Sequence, residues 1–315
     1  MRAMIVAAGL GTRLRPLTTL RPKPALPVRG LPLVAYTLAL LHHHGVREVA
    51  INVHPLPEVL EAAATRYRPP GMRLTFSRET TLLDTGGGIR RVAEFLRGSD
   101  PCLLLGGDMI VDVDLGALVA EHRERGDAIT LLLREDPRSA DFGSVGVDAS
   151  GAVRRIGSRF DLGGETRAGV YTWVNVVSRR ALDALPEREI FSHFEGWIWP
   201  LLQAGARDVR GSFATCRWEP VGTPAEYLAV NLAPQRFAWL DADERARARG
   251  VRFESDCVIG AGAAIGAGAS LRRVVVWDEE RVPAGLRAQD GVFAGGAFHA
   301  VRDAGAPPAT GTSRE

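Results

Sequence analysis

The 315-residue sequence predicts an α/β protein with a doubly wound, mostly parallel sheet, followed by a short C-terminal left-handed β-helix of hexapeptide repeats. Three observations predict it. Short, wholly apolar segments alternate with amphipathic ones, as strands buried on both faces alternate with helices. A glycine-rich loop follows the first apolar segment directly, where the first strand of an open sheet meets its ligand. Beyond residue 250, aliphatic residues recur every six positions among glycines and alanines.

Residues 3–8 (AMIVAA) are apolar throughout and read as a buried strand. Pro32 to His44 reads as a helix, with Leu33, Tyr36, Leu40 and Leu41 at helical spacing and Gly45 as its stop. Strands follow at Glu48 to Val53, Arg73 to Ser77, Pro101 to Leu105 and Ala128 to Leu133. The helices between them are Glu58 to Tyr67, Ile89 to Leu96 and Leu115 to Arg125. Asp112 and Asp114 read as the start of the last of these, and His42, His43 and His44 as a helix end rather than a metal cluster. Ser144 to Val147 and Ala152 to Ile156 form a hairpin around Ala149-Ser150-Gly151. Then come a strand at Val170 to Val177, a helix at Arg179 to Leu185, a strand at Phe213 to Trp218 and a helix at Pro224 to Leu232. Arg236 to Arg249 is charged, alanine-rich and helical, a linker. Ile259, Ile265, Leu271 and Trp277 then mark the hexapeptide period; the competing reading is a glycine/alanine-rich loop. About two coils cannot bury enough surface alone, so they should pack on the main domain or on a partner. The expected organisation is a catalytic domain over 1–235, a helical linker over 236–250, the β-helix over 251–300 and a disordered tail over 301–315.

A formal charge of +2 gives no general affinity for polyanions, so nucleic acid is not an expected partner and phosphate binding must be local. Cys102, Cys216 and Cys257 are far apart and form no CxxC pair, which argues against a disulfide framework or zinc site and fits a reducing cytoplasm. The apolar start, Met4 to Leu10, is too short for a signal peptide. No apolar run reaches the roughly 18 residues that span a bilayer, so no membrane segment is expected.

Ala7-Ala8-Gly9-Leu10-Gly11-Thr12-Arg13-Leu14-Arg15-Pro16 lies directly after the first strand. Glycines there let backbone N–H groups form a nest for a phosphate, and an arginine in the loop adds bidentate contacts. A Walker loop is excluded because no lysine stands in place, and Leu14 replaces the third glycine of a dinucleotide fingerprint. With Lys23-Pro24-Ala25-Leu26-Pro27, the run resembles the signature of the sugar-1-phosphate nucleotidyltransferases, and the chain is similar to the mannose-1-phosphate guanylyltransferase-like and N-acetylmuramate-1-phosphate uridylyltransferase-like members. The resemblance extends over about residues 1–232 through Leu83-Asp84-Thr85-Gly86-Gly87-Gly88-Ile89, Gly107-Asp108 and Val221-Gly222-Thr223-Pro224.

The resemblance implies a Rossmann-like nucleotidyltransferase domain and in-line attack of a sugar 1-phosphate on the α-phosphorus of a nucleoside triphosphate, with GTP and mannose 1-phosphate the pair chosen. Arg13 would hold the β- and γ-phosphates, and Lys23 would sit near the point of attack. Ala7, Ala8, Gly9, Gly11 and Thr12 would line the nucleotide, and Thr85 and Gly86 would face base and ribose. Gly143 and Thr172 would approach the sugar. Asp108 would hold Mg²⁺, although such a strand-end aspartate also caps helices. Homo-oligomers, or a partner subunit, would assemble through the β-helix.

Three departures stand out. The family's W-x-D-[IV]-G-T motif reads Trp218-Glu219-Pro220-Val221-Gly222-Thr223 here, so proline replaces the second metal-binding aspartate. Trp173 stands where the family usually has glycine near the sugar. The sugar-phosphate lysine has no counterpart, and Lys23 is the only lysine, leaving Arg159 or Arg167 as substitutes. These departures suit a second function as well: a catalytically impaired regulatory subunit that binds a nucleotide or nucleotide sugar. A dinucleotide-dependent oxidoreductase is a distant third, since Thr12, Arg13 and Lys23 serve no purpose there.

Overall fold

The computed structural model describes residues 1–301, so the tail expected over 301–315 lies outside the described residues from residue 302 on. A ten-stranded sheet organises most of the chain. Its centre is β1 (Arg2–Val6). Beside it run β2 (Glu48–Val53), then β3 (Arg73–Arg78), with β4 (Cys102–Gly106) on the other side, all parallel. Side chains alternate across a strand. Ile5, Leu103 and Leu105 therefore enter one core while Met4 and Leu104 enter another on the opposite face. Helices α1 (Leu33–His43), α2 (Pro57–Arg66) and α3 (Asp84–Arg91) connect these strands. The histidine run ends α1 as expected, with His44 as its C-cap.

Helix α3 begins earlier than predicted because its three glycines let it pack tightly. A Cβ on Gly86 would collide with the Phe191 ring, and one on Gly87 with the Glu189 carbonyl. After β4 the chain leaves the sheet as β5 (Met109–Asp112), a strand the prediction missed. Asp114 then N-caps α4 (Leu115–Arg125), its Oδ1 accepting from the Ala117 N–H at 2.9 Å. Asp112 belongs to β5, not to the helix start.

The remainder of the sheet is mixed. β6 (Ile129–Arg134) is followed by the expected hairpin, β7 (Val145–Val147) and β8 (Val153–Ile156). β9 (Arg167–Val177) runs antiparallel to both β4 and β6. The strand expected over Phe213 to Trp218 is two strands in different sheets. β10 (Val209–Phe213) pairs with β6, and β11 (Arg217–Pro220) pairs with β5. The break is fixed by Arg134, which donates to the Cys216 carbonyl at 2.8 Å.

Helix α5 (Pro224–Leu232) starts with a capping box between Thr223 and Glu226. The linker helix expected over Arg236 to Arg249 is corrected to a short hairpin (Arg236–Phe237 with Leu240–Asp241) and then α6 (Ala242–Arg247), N-capped by Asp241. Buried polar groups hold this segment against the main body. Arg29 pairs with Asp243 through two hydrogen bonds and also donates to the Asn231 carbonyl at 2.8 Å.

The C-terminal strands stack in parallel. β12 (Arg252–Glu254) runs antiparallel onto β13 (Cys257–Ile259). Above it lie β14 (Ala264–Ile265), β15 (Ser270–Val276), β16 (Arg281–Val282) and β17 (Arg287–Ala294), closed by antiparallel β18 (Ala297–Ala300). The parallel partners are seventeen residues apart: Val258 with Val275, Ala264 with Arg281, Ser270 with Arg287. A strict period of six would have placed Trp277 over Ile259, but Val276 takes that place. Trp277 instead turns toward the main body, its Nε1 donating to the Tyr227 hydroxyl at 3.0 Å. The valines Val258, Val275 and Val292 share one core with Tyr227 and Leu228 of α5, while Ile259, Val276 and Phe293 fill the stack itself. The stack is thus buried against the main body, as the count of coils required. Among the described residues no helix is long and apolar enough to cross a membrane.

Candidate active site

Because β1, β2 and β4 run parallel, their carboxyl ends share one edge, where ligands of open α/β sheets sit. The loop after β1 is anchored from beneath. The Ala7 N–H donates to Asn52 Oδ1 at 2.7 Å, Asn52 donates to Glu79 at 2.8 Å, and Glu79 accepts the Leu83 N–H at 3.1 Å. Asn52 and Glu79 are both buried. Gly11 has φ +60°, and a Cβ there would press on Thr18. A single 3₁₀ turn, Thr12–Leu14, follows, and a second, Lys23–Ala25, brings Lys23 back to the same edge.

Lys23 Nζ donates to Asp108 Oδ2 at 2.9 Å. Asp108 follows β4, and its carbonyl accepts the Val221 N–H at 3.0 Å, tying the start of β5 to the end of β11. Asp108 and Trp173 line two adjoining cavities. The smaller, about 160 Å³, is lined by Ala7, Gly9, Gly11, Lys23, Thr85 and Gly106 beside them. The larger, about 430 Å³, carries six aromatic side chains: Phe142, Phe160, Tyr171, Trp173, Phe194 and Trp218. Its charged side chains are Arg13, Asp108, Arg159 and Glu195, set among flat apolar faces.

The expected residues divide. Ala7, Gly9, Gly11, Lys23 and Thr85 meet at the smaller cavity, and Arg13 and Gly143 at the larger. Ala8 is buried and Thr12 exposed, and neither lines either of these two cavities. Gly86 is corrected: its N–H donates to the Phe191 carbonyl at 2.8 Å, so it packs rather than facing a base. Thr172 is corrected too. It is wholly buried and donates to the Leu132 carbonyl at 2.9 Å, because its neighbours Tyr171 and Trp173 take the cavity side. Arg159 stands at the rim, forked onto Glu195 at 2.9 and 3.0 Å, whereas Arg167 lies in a different cleft, paired with Glu135.

Trp173 has φ +61°, a conformation suited to glycine and strained for a bulky residue. The register of β9 against β6 shifts between Tyr171 and Asn175, so Trp173 sits on a bulge. Sequence reasoning missed the groups behind it. The His193 ring packs 4.5 Å from the Trp173 ring, its Nδ1 lies 2.8 Å from Thr85 Oγ1, and its Nε2 is buried with no partner among the described residues. Burial pushes His193 down to about 3, so it is neutral at physiological pH.

Pro220 lines the larger cavity with Asp108, opposite Met109 in the β5–β11 pair. Glu219 points away and pairs with Arg217 at 3.4 Å. Among the described residues no group of three His, Cys, Asp or Glu side chains gathers to hold a metal. One half-exposed carboxylate is a fit for Mg²⁺ that arrives on substrate phosphates, since this ion takes one or two carboxylates and fills its shell with phosphate and water oxygens. It is no fit for a cage built by the protein alone.

The fold and paired cavities define an α/β protein with a ligand site at the carboxyl edge of its sheet. A family model described as Nucleotidyl transferase matches residues 2–236. The chain belongs to the nucleotidyl transferase family and is a nucleotidyltransferase enzyme. It is 32% identical over 301 residues to the mannose-1-phosphate guanylyltransferase of Mycobacterium tuberculosis, covering 90% of this chain and 81% of that one. It is 26% identical to the UTP–glucose-1-phosphate uridylyltransferase of Synechocystis, covering 72% of this chain and 61% of that protein. The fold is similar to that of HddC from Yersinia pseudotuberculosis complexed with GMP-PN, at a TM-score of 0.61, 19% identity and coverage of 73% of this chain and 97% of that chain.

Proposed function

We propose that the chain transfers a nucleotidyl group from a nucleoside triphosphate to a sugar 1-phosphate, with GTP and mannose 1-phosphate as the pair. The observation that carries this reading is the Lys23–Asp108 pair, placed where the smaller cavity beside the glycine-rich loop meets the larger aromatic one. A phosphate oxygen of the sugar attacks the α-phosphorus, a new P–O bond forms, and the α–β bridge breaks to release pyrophosphate. Such a reaction is driven by positioning and charge neutralisation. The loop amides of Ala8 to Thr12 cradle the triphosphate while Ala7 lines the cavity, Arg13 holds its outer phosphates from the rim, and Lys23 neutralises charge beside the attack point. Thr85 faces the nucleoside, and Gly143 lets the sugar approach. Asp108 is the protein ligand we assign to Mg²⁺, which supplies further neutralisation of the phosphates when bound. The name of the mycobacterial relative supports the choice of pair.

We also read the C-terminal stack as a short left-handed β-helix following a catalytic domain over 1–235, and as a surface for homo-oligomers or a partner subunit. The three unpaired thiols suit a place in cytoplasmic nucleotide-sugar synthesis.

The test is pyrophosphate release by purified protein with Mg²⁺, across panels of triphosphates and sugar 1-phosphates. Release with GTP and mannose 1-phosphate is the expected result, and release with another combination would replace the pair. Silence across the panel, with tight nucleotide binding in calorimetry, would overturn transfer and favour the regulatory subunit that Pro220 suits.

A further inference from the structure

Behind the wall that parts the two cavities lies His193, a buried histidine that the reaction described above does not use. Its ring packs 4.5 Å from the Trp173 ring and 4.1 Å from the Phe194 ring, both of which line the larger cavity. Thr85, which lines the smaller cavity, meets His193 twice. The His193 backbone N–H donates to Thr85 Oγ1 at 3.0 Å, and His193 Nδ1 lies 2.8 Å from the same oxygen. Backbone hydrogen bonds hold the two residues in this relation. The Gly86 and Gly87 N–H groups donate to the Phe191 carbonyl at 2.8 and 3.2 Å, and the Phe191 N–H donates to the Leu83 carbonyl at 3.3 Å. The first turn of α3 and the segment from Phe191 to His193 are thus one unit, and the Thr85 hydroxyl has a fixed neighbour on its protein side.

A hydroxyl has one proton to give and two lone pairs to receive. The His193 backbone N–H fills one lone pair of Thr85. The ring is neutral, so one of its nitrogens carries hydrogen and the other is bare. Nε2 is buried with no hydrogen-bond partner among the described residues, and the rings around the imidazole are those of Tyr171, Trp173 and Phe194. Aromatic faces are negative; they attract an N–H and repel a nitrogen lone pair. The hydrogen therefore belongs on Nε2, and bare Nδ1 receives the Thr85 proton. Thr85 is left with a single lone pair and no proton to offer the smaller cavity. A hydroxyl that ordinarily gives or takes is made acceptor-only.

We infer that His193 is a positioning residue: it takes the Thr85 proton, so that Thr85 selects a nucleoside by a hydrogen-bond donor, an O–H of the ribose or an N–H of the base. This rests on the nucleoside lying in the smaller cavity, as proposed above. Two measurements on the full chain test it. Heteronuclear NMR of the imidazole nitrogens at neutral pH should show a neutral His193 ring with hydrogen on Nε2, assigned by the shift of its Nδ1 signal in Thr85→Val; hydrogen on Nδ1 overturns the inference, and this reading needs no change at the buried histidine. Calorimetry then follows GTP binding. Thr85→Val should weaken it about tenfold and His193→Phe about threefold, while His193→Phe added to Thr85→Val costs nothing further, because both act on one hydroxyl. His193→Asn, whose side-chain oxygen can stand where Nδ1 stood, should restore binding to within about twofold of the native chain. Additive losses, or an asparagine no better than phenylalanine, would mean that His193 only fills space. A repeat with 2′-deoxy-GTP places the donor: a Thr85→Val penalty that vanishes supports the ribose 2′ hydroxyl, and one that persists supports the 3′ hydroxyl or an N–H of the base. A native chain that binds no triphosphate overturns the nucleotide reading itself, whereas native binding that neither variant moves overturns this inference alone.

Discussion

Replacing Trp173 by glycine and, separately, by alanine isolates the backbone of the wall between the two catalytic cavities. Both changes remove the partly buried indole with its packing on Tyr171 and His193. Full removal of a buried Trp costs about 3–5 kcal/mol, so this partial burial sets a shared loss of about 2 kcal/mol. The two variants then diverge. At φ +61° glycine relieves about 1–2 kcal/mol of left-handed strain and adds about 0.5–1 kcal/mol of chain entropy, while alanine does neither. Trp173→Gly should therefore be more stable than Trp173→Ala by about 0.5–1 kcal/mol. In ordinary extended backbone the order is reversed by a similar amount. Urea denaturation of the three proteins reads the order directly. A glycine variant less stable than the alanine variant by about 1 kcal/mol would show that Trp173 occupies regular strand geometry, and the bulge argument would fail.

Removing the cation at the junction, by Lys23→Met, should lower the rate of pyrophosphate release about 10²–10³-fold, as loss of one preorganised donor does. Its effect on the urea midpoint should stay small, about 1 kcal/mol or less, because Asp108 is half exposed. Asp243→Asn strands the buried Arg29 charge and should cost about 3–5 kcal/mol by the same denaturation, with α6 the first element to lose amide protection. Pro220→Asp sets a second carboxylate beside Asp108 and should lower the Mg²⁺ concentration needed for half-maximal release; an unchanged requirement would mean that position 220 does not reach the metal. His193, held at about 3 by burial, binds fewer protons folded than unfolded between that value and the ordinary imidazole range. Its contribution is intact near neutrality and is lost as pH falls below about 6.5, by at most about 1.4 kcal/mol per unit. His193→Phe should flatten that acid slope, and a slope left unaltered would locate it elsewhere, His122 being the next candidate since burial holds it at about 4.

The centre of the sheet was legible because its strands are apolar on both faces; Met4 and Ile5 announce a covered strand without any knowledge of partners. The loop was legible for a different reason, since Gly9, Gly11, Arg13 and Lys23 are residue types whose backbone and charge have few other uses in that order. What sequence could not give was set by tertiary contacts. Thr172 looked like a cavity residue until the bulge at Trp173 turned its neighbours outward and sent its hydroxyl to Leu132. Gly86 looked like a backbone contact for a base, but Phe191 takes its N–H. Phe213 to Trp218 read as one strand because nothing local marks the point where β10 and β11 change sheets. The one polar residue inside β2, Asn52 at the fifth of six strand positions, was the available hint of the buried network beneath the loop.

The seventeen-residue register of the C-terminal strands sets a unit of length for heredity as well as for packing. Antiparallel β12 and β18 close the stack at its two ends. An insertion or deletion between them preserves the inward and outward faces only if it adds or removes one whole turn of the chain. A six-residue duplication, the unit the sequence advertises, would carry Val275 and Val292 off the face that meets α5 and leave that helix bare. Descendants of this chain should differ in that region by a full turn or not at all.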